Sequence, residues 1–283
     1  MSTLFVNRLT AIDVSLLDPG RGLLGESWIA DIELEGALDE QGMVLDFAKV
    51  KRQVKEVIDR FFDHRLLLPT EYPGTELETE NHHCRLRFTL HSGERIEHAS
   101  PCEAVAPIRC GRITPEALSR AIVDRLQPML PDNVTRIELI LRNESTPEAQ
   151  YQYSHGLRHH DGNCQRIAHG HRSRIVIYRD GERSESLERL WADRWRDIYI
   201  ATHSDLVTER EIDGVPYLGF GYGSTQGEFR LELPKRCSYL IDTDSTVENL
   251  ANHVVLSLKR EHPEARFRVR AFEGVDKGAI DEA

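Results

Sequence analysis

Nowhere in the 283 residues is there an apolar run long enough to cross a bilayer, so no membrane-spanning helix is expected. The five cysteines are odd in number and irregularly spaced, which argues against a disulfide framework and makes a reducing cytoplasm the default compartment. The opening Met1-Ser2-Thr3-Leu4-Phe5-Val6-Asn7-Arg8 has no basic segment followed by an apolar stretch, so no secretory signal is expected. Positive charge is scarce too. Thirty-six Lys and Arg face 47 Asp and Glu, a net charge of −11, whereas general nucleic-acid binding needs a basic face to neutralise phosphates. What remains, 40% hydrophobic and 29% charged, describes a soluble globular chain with a core, enough for one large domain or two ordinary ones.

The richest stretch runs from Tyr153-Ser154-His155 through Cys164 to His169-Gly170-His171. Downstream, Ile175, Val176, Ile177 and Tyr178 read as a strand closed by the hairpin signal Asp180-Gly181. Residues two apart on a strand share a face, so His169 and His171 can reach one ion, with His155 as a third ligand from a neighbouring strand. Three neutral imidazoles with one open position is the arrangement of catalytic zinc. The competing reading is a histidine-rich surface loop. Arg158, Arg166, Arg172 and Arg174 lie nearby and could form a local pocket for a phosphorylated metabolite, although solvated surface arginines are the simpler expectation. His82, His83 and His91 near Cys84 are read as solvated loop histidines, and His159-His160 as an exposed turn.

The chain also repeats itself. In the first half, Trp28, Ala30, Ile32 and Leu34 share one strand face while Asp31, Glu33 and Glu35 share the other. Asp46 can cap a helix with Phe47, Val50, Val54, Val57 and Phe61 at helical spacing. Thr114-Pro115-Glu116 opens a second helix, and a strand from Val134 to Leu141 follows. The second half repeats the order: strand Ile175 to Tyr178, a helix from Leu187 to Ile198 ending near Thr202-His203, the capping pattern Ser245-Thr246-Val247-Glu248, and alternating Phe267, Val269 and Ala271. The implied class is α+β, with two units, 1–149 and 150–283. No Gly/Ser- or Pro-rich linker lies between them, so close packing is expected.

On these residues both halves resemble the 6-pyruvoyltetrahydropterin synthase / 6-carboxytetrahydropterin synthase family, whose subunit is the tunnelling, or T-fold, unit. The second half carries His155, Cys164, His169, His171, Thr246-Val247-Glu248-Asn249 and Glu273-Gly274. The first carries Gly42-Met43-Val44-Leu45-Asp46-Phe47, Asp63-His64, Thr114-Pro115-Glu116-Ala117 and Glu144-Ser145-Thr146-Pro147. The resemblance implies two tandem T-fold units, each an antiparallel four-stranded sheet with helices on one face. It also implies a homo-oligomer, either three tandem chains supplying six units or a dimer with a smaller count.

The copies differ where chemistry is concerned. Leu24-Gly25-Glu26 stands against His169-Gly170-His171, with Asp13 expected in the place of His155, so the first unit should be metal-free. Conversely, Thr202-His203 is the expected counterpart of Asp63-His64 and lacks the carboxylate. The resemblance therefore implies one composite site. It would comprise zinc on His155, His169 and His171, Cys164 as proton-abstracting base, and Asp63 orienting His64 as partner acid or base, with Glu144 or Glu273 anchoring a pterin. The implied substrate is 7,8-dihydroneopterin triphosphate, giving 6-carboxy-5,6,7,8-tetrahydropterin on the queuosine path or, in the other branch, 6-pyruvoyltetrahydropterin. A non-catalytic pterin- or purine-binding module and a metal-stabilised assembly protein remain as alternatives.

Overall fold

The computed structural model describes all 283 residues. The chain opens with a long antiparallel hairpin, β1 (Ser2–Asp18) and β2 (Gly22–Gly36), followed by α1 (Phe47–Phe61) and β3 (Leu66–Pro69). Asp46 caps α1 by accepting from the Lys49 N–H, and Val50, Val54, Val57 and Ile58 form its buried stripe. Strands β4 (Thr75–Glu80), β5 (His83–Thr89), β6 (Arg95–Pro101) and β7 (Val105–Ile108) precede α2 (Pro115–Leu126) and β8 (Val134–Arg142). Thr114 caps α2, with Pro115 at its first position, where a missing N–H costs nothing.

The second half runs β9 (Gln150–His155), β10 (His169–Arg179), β11 (Glu182–Arg183), α3 (Glu185–Arg194), β12 (Ile198–Thr202), β13 (Leu206–Ile212), β14 (Val215–Ser224) and β15 (Gly227–Pro234). It ends with β16 (Ser238–Ile241), α4 (Val247–Glu261), β17 (Phe267–Phe272) and β18 (Gly278–Glu282). The β10–β11 turn at Asp180-Gly181 has positive φ at both residues, as the sequence indicated. The third helix is shorter than its periodicity suggested. It stops at Arg194, and Ile198–Thr202 is a strand instead, because β-branched and aromatic side chains there are buried on both faces beside β9.

Each half builds a sheet with its helices layered against it. In the second, β9-β10-β17-β18 is a four-stranded antiparallel run, and β12 and β16 widen it by parallel pairing beyond β9. The first contains β1, β2 and β8 antiparallel, with β3 and β7 added in parallel beyond β1. The sheets are thus wider than the four strands expected.

A third sheet joins the halves. Its order is β13-β14-β15-β6-β5-β4, three strands from each half, and the seam pairs Arg230 with Ala99, Leu231 with His98 and Glu232 with Glu97. Beneath it lies a core drawn from both halves, including Leu66, Leu86 and Phe88 with Tyr199, Phe220 and Leu231. No helix is long and apolar enough to cross a membrane.

The two leading hairpins pack directly on one another. Ser15 pairs with Gly25 and Ser154 with Gly170, and the two serine hydroxyls meet at 2.7 Å. A Cβ on Gly25 would lie 1.8 Å from the Tyr153 carbonyl oxygen, and one on Gly170 2.6 Å from the Gly25 Cα. Both glycines are required by backbone approach, and they fix the correspondence between the copies.

Candidate active site at the junction of the two halves

His155 ends β9, and His169 and His171 open β10. His155 pairs with His169 in register, and residues 169 and 171 share a face, so all three rings converge. One ring nitrogen from each lies within 4.8 Å of the others. All three side chains are essentially inaccessible to solvent. The second nitrogen is hydrogen-bonded in two of the rings, His155 Nδ1 3.0 Å from the Ser245 carbonyl oxygen and His169 Nδ1 3.2 Å from that of Arg166, while His171 Nδ1 lies 3.3 Å from the Asp13 Oδ1 carboxylate oxygen. The three Nε2 atoms are buried with no hydrogen-bond partner. Burial and the neighbouring imidazoles hold His155 and His169 well below the usual histidine range, which keeps them neutral. Three buried, unpartnered nitrogens facing one point fit a metal with imidazole preference.

The first half supplies the other wall. His64 has positive φ, and its N–H donates to the Asp13 carbonyl at 2.8 Å while the Asp13 N–H donates to Asp63 Oδ1 at 2.9 Å. This turn puts His64 Nδ1 2.5 Å from Asp63 Oδ2. The opposite side of the His64 ring faces the second half: His64, Cys164 and His169 form a second convergent group within 4.8 Å. Burial opposes the imidazolium, but hydrogen bonds to Asp63 and Cys164 outweigh it and push His64 up to about 10. One chain therefore brings Asp63, His64, Cys164 and the three histidines together.

Glu273 follows β17 and sits at the same place, 3.8 Å from His171 Nε2 and 3.9 Å from Lys277 Nζ. Glu144 does not join them. It pairs with Arg174 at 3.2 Å, within a cluster that also holds Glu148 and Asp276. Strand register explains this: β2–β8 pairing makes Asn143, not Glu144, the counterpart of Glu273. The nearby arginines are occupied structurally. Arg172 pairs with Glu26, Arg174 with Glu144 and Glu148, and Arg158 lies 3.8 Å from Asp205. His159 is exposed, as expected, and bonds Asp244. The groups of side chains able to hold a metal include none of His82, His83 and His91.

Two of the expected correspondences are corrected by the register. Leu16 pairs with Leu24 as His155 pairs with His169, so Leu16, not Asp13, is the counterpart of His155. Asp13 pairs with Ser27 and matches Gln152. Likewise, β3 meets β1 at Ser15–Leu66 and β12 meets β9 at Ser154–Tyr199, so Asp63-His64 matches Arg196-Asp197, not Thr202-His203. Asp197 shares the positive φ of His64, 55° against 54°. The first unit's pocket is filled rather than vacant. Arg172 holds Glu26 bidentately at 2.6 and 3.0 Å, Gln152 and Asn143 donate to Glu26, and Arg21 bridges Gln152 and Asp197. Leu16 and Leu24 there offer no ligand atom, and the Glu26 carboxylate is taken up by Arg172.

A family model described as 6-pyruvoyl tetrahydropterin synthase matches residues 19–153 and, again, 144–282. The chain belongs to this family. Membership supports a pterin synthase-type activity on a small pterin substrate, and the two matches agree with two tandem T-fold units. Among solved structures, the chain is similar to Plasmodium vivax 6-pyruvoyl tetrahydropterin synthase, at 19% identity over 50% of this chain and 98% of that one, with a TM-score of 0.39. The Plasmodium falciparum enzyme gives 15% identity over 50% and 97%, also at 0.39. No curated protein matches the chain.

Proposed function

We propose that the chain is a zinc-dependent pterin synthase acting on 7,8-dihydroneopterin triphosphate at a composite site between units 1–149 and 150–283. The observation that carries this is the meeting of the orphaned Nε2 atoms of His155, His169 and His171 with Cys164 from the same half and Asp63-His64 from the other. When bound by the three imidazoles, zinc supplies Lewis-acid polarisation of the vicinal oxygens on the substrate side chain, which acidifies the neighbouring C–H and O–H protons.

The remaining work falls to the protein. Cys164 as the thiolate takes a side-chain proton, and the imidazolium of His64, held by Asp63, gives one on the other side. Glu273 anchors the pterin by accepting two parallel N–H bonds, and its position beside His171 favours it over Glu144. The product assigned is 6-carboxy-5,6,7,8-tetrahydropterin, with acetaldehyde and triphosphate released; 6-pyruvoyltetrahydropterin is the alternative. The assembly is proposed as three chains supplying six units.

The test is turnover of 7,8-dihydroneopterin triphosphate by metal-loaded protein, with product identification and metal analysis. Activity that disappears in Cys164→Ala and His64→Ala while metal stays bound supports the reading. Pterin affinity that survives Cys164→Ala without turnover in the parent chain indicates a binding module instead.

A further inference from the structure

Thirteen residues separate His155 from His169, and Cys164 lies in a short 3-10 turn, Asn163–Gln165, within that loop. Within the loop the Leu157 N–H donates to the Cys164 carbonyl at 2.8 Å, the Gln165 and Arg166 N–H groups close the turn on the Gly162 and Asn163 carbonyls, and Gln165 Nε2 donates to the Asp161 and Gly162 carbonyls. The loop is tied to the shared sheet through β14 and the β14–β15 turn. Tyr222 Oη donates to the Gln165 carbonyl at 2.9 Å. The Gln165 side chain is fully buried, and its Oε1 accepts from Thr225 Oγ1 at 2.9 Å and the Gln226 N–H at 3.0 Å. Gln226 then reaches around the turn with both ends of its amide. Its Nε2 donates to Asn163 Oδ1 at 2.9 Å, and its Oε1 accepts from Arg166 Nε at 3.0 Å. Arg166 in turn donates through Nη1 to the His64 carbonyl at 3.2 Å. One side chain is therefore bonded to residues on both sides of Cys164 and, through Arg166, to the backbone of His64.

We propose that Gln226 is the positioning residue that sets the Cys164 thiol against His64, and that the β14–β15 turn is the element that aligns the two halves of the site. This rests on the reading of Cys164 and His64 as the acid–base pair. The physical basis is geometric. A loop of this length has many conformations of similar energy, and a primary amide with a donor and an acceptor in fixed opposition selects one of them. Displacing a reacting group by about 1 Å costs up to about 100-fold in rate even when the substitution lies away from the chemistry. Because β15 is bonded to β6 of the first half, the turn is also anchored to the half that carries His64.

The experiment compares the full-length chain with Gln226→Ala and Gln226→Glu, the latter keeping an acceptor for Arg166 but losing the donor to Asn163. Steady-state kinetics on 7,8-dihydroneopterin triphosphate give kcat and KM separately. The rate of Cys164 alkylation by iodoacetamide at pH 7, read by peptide mass mapping, reports the thiol without needing turnover. The expected result for Gln226→Ala is a kcat about 10- to 100-fold lower with KM within about twofold, and an alkylation rate at Cys164 changed about fivefold or more. Gln226→Glu should fall between Gln226→Ala and the parent. The proposal is overturned if Gln226→Ala keeps both kcat and alkylation within about twofold of the parent. It is equally overturned if the buried Cys84 and Cys110 become alkylated along with Cys164, which would mean general loosening. Absence of turnover in the parent chain would sink the functional reading alone, since the alkylation rates still decide whether Gln226 places the thiol.

Discussion

Asp13 Oδ1 stands 3.3 Å from Nδ1 of His171, so a carboxylate from the first half orients a ring of the second. The same residue binds Asp63 and His64 through its own backbone, and Ser27 Oγ and Lys277 Nζ hold its carboxylate at 2.5 and 3.1 Å. Burial opposes ionisation, but His171, Lys277 and Ser27 outweigh it and keep Asp13 charged. A carboxylate behind a ligating imidazole fixes its tautomer and raises its basicity.

Asp13→Asn should therefore weaken zinc binding by about 10- to 100-fold while leaving the fold intact. Competition with a chromogenic chelator measures this without reference to activity. An unchanged dissociation constant would show that the carboxylate does not support the ligand.

The two glutamates should separate kinetically. Glu273→Gln should lower kcat/KM by about 100-fold, because an amide cannot accept two N–H bonds in parallel. Glu144→Gln should stay within about threefold, since Glu144 serves Arg174 and not the pocket. The reverse ranking would move the pterin anchor to the other position.

The filled pocket of the first unit makes a stability prediction. Arg172→Met strands the buried Glu26 carboxylate and should cost about 3–5 kcal/mol in urea unfolding. Adding Glu26→Leu to that variant should recover most of the loss, because no charge is then left unpaired. If the double variant is no more stable than the single one, Glu26 is not the cause.

His98 predicts an acid-sensitive seam. It is buried where β6 meets β15, its Nδ1 has no partner, and burial pushes it down to about 4. Between pH 6.5 and 4 the unfolded chain binds the proton and the folded chain refuses it, so stability falls as pH falls through that window. The loss is at most about 3 kcal/mol for this group. His98→Leu should remove that component from the pH dependence of unfolding; curves that stay parallel to the parent's would rule it out.

The convergence of His155, His169 and His171 was legible because a period of two is local: His169 and His171 announce a shared face without reference to anything distant. The helix caps Asp46 and Thr114 were legible for the same reason, whereas α4 is capped by Thr246, one residue beyond the Ser245 that the capping-box pattern points to. The shared sheet was not. The alternation of buried Cys84, Leu86 and Phe88 with exposed His83, Arg85 and Arg87 marks β5 as a strand. Nothing local indicates that the sheet continues through β6 into β15, in the other half of the chain. The misplacement of Asp13 had a different origin. Three residues join β1 to β2 but thirteen join His155 to His169, so counting along the chain cannot align the copies. Only the contact of Gly25 with Gly170 does.

The seam at Ala99 and Arg230 also has a bearing on synthesis. When the ribosome has made residues 95–101, the free edge of β6 has no neighbour until β15 emerges more than a hundred residues later. At about 5–20 residues per second that interval lasts several seconds or more, during which an unpaired strand edge is open to pairing with other nascent chains. Expression at high level should accordingly favour aggregates seeded by the first half, because more nascent chains then expose the unpaired edge at once.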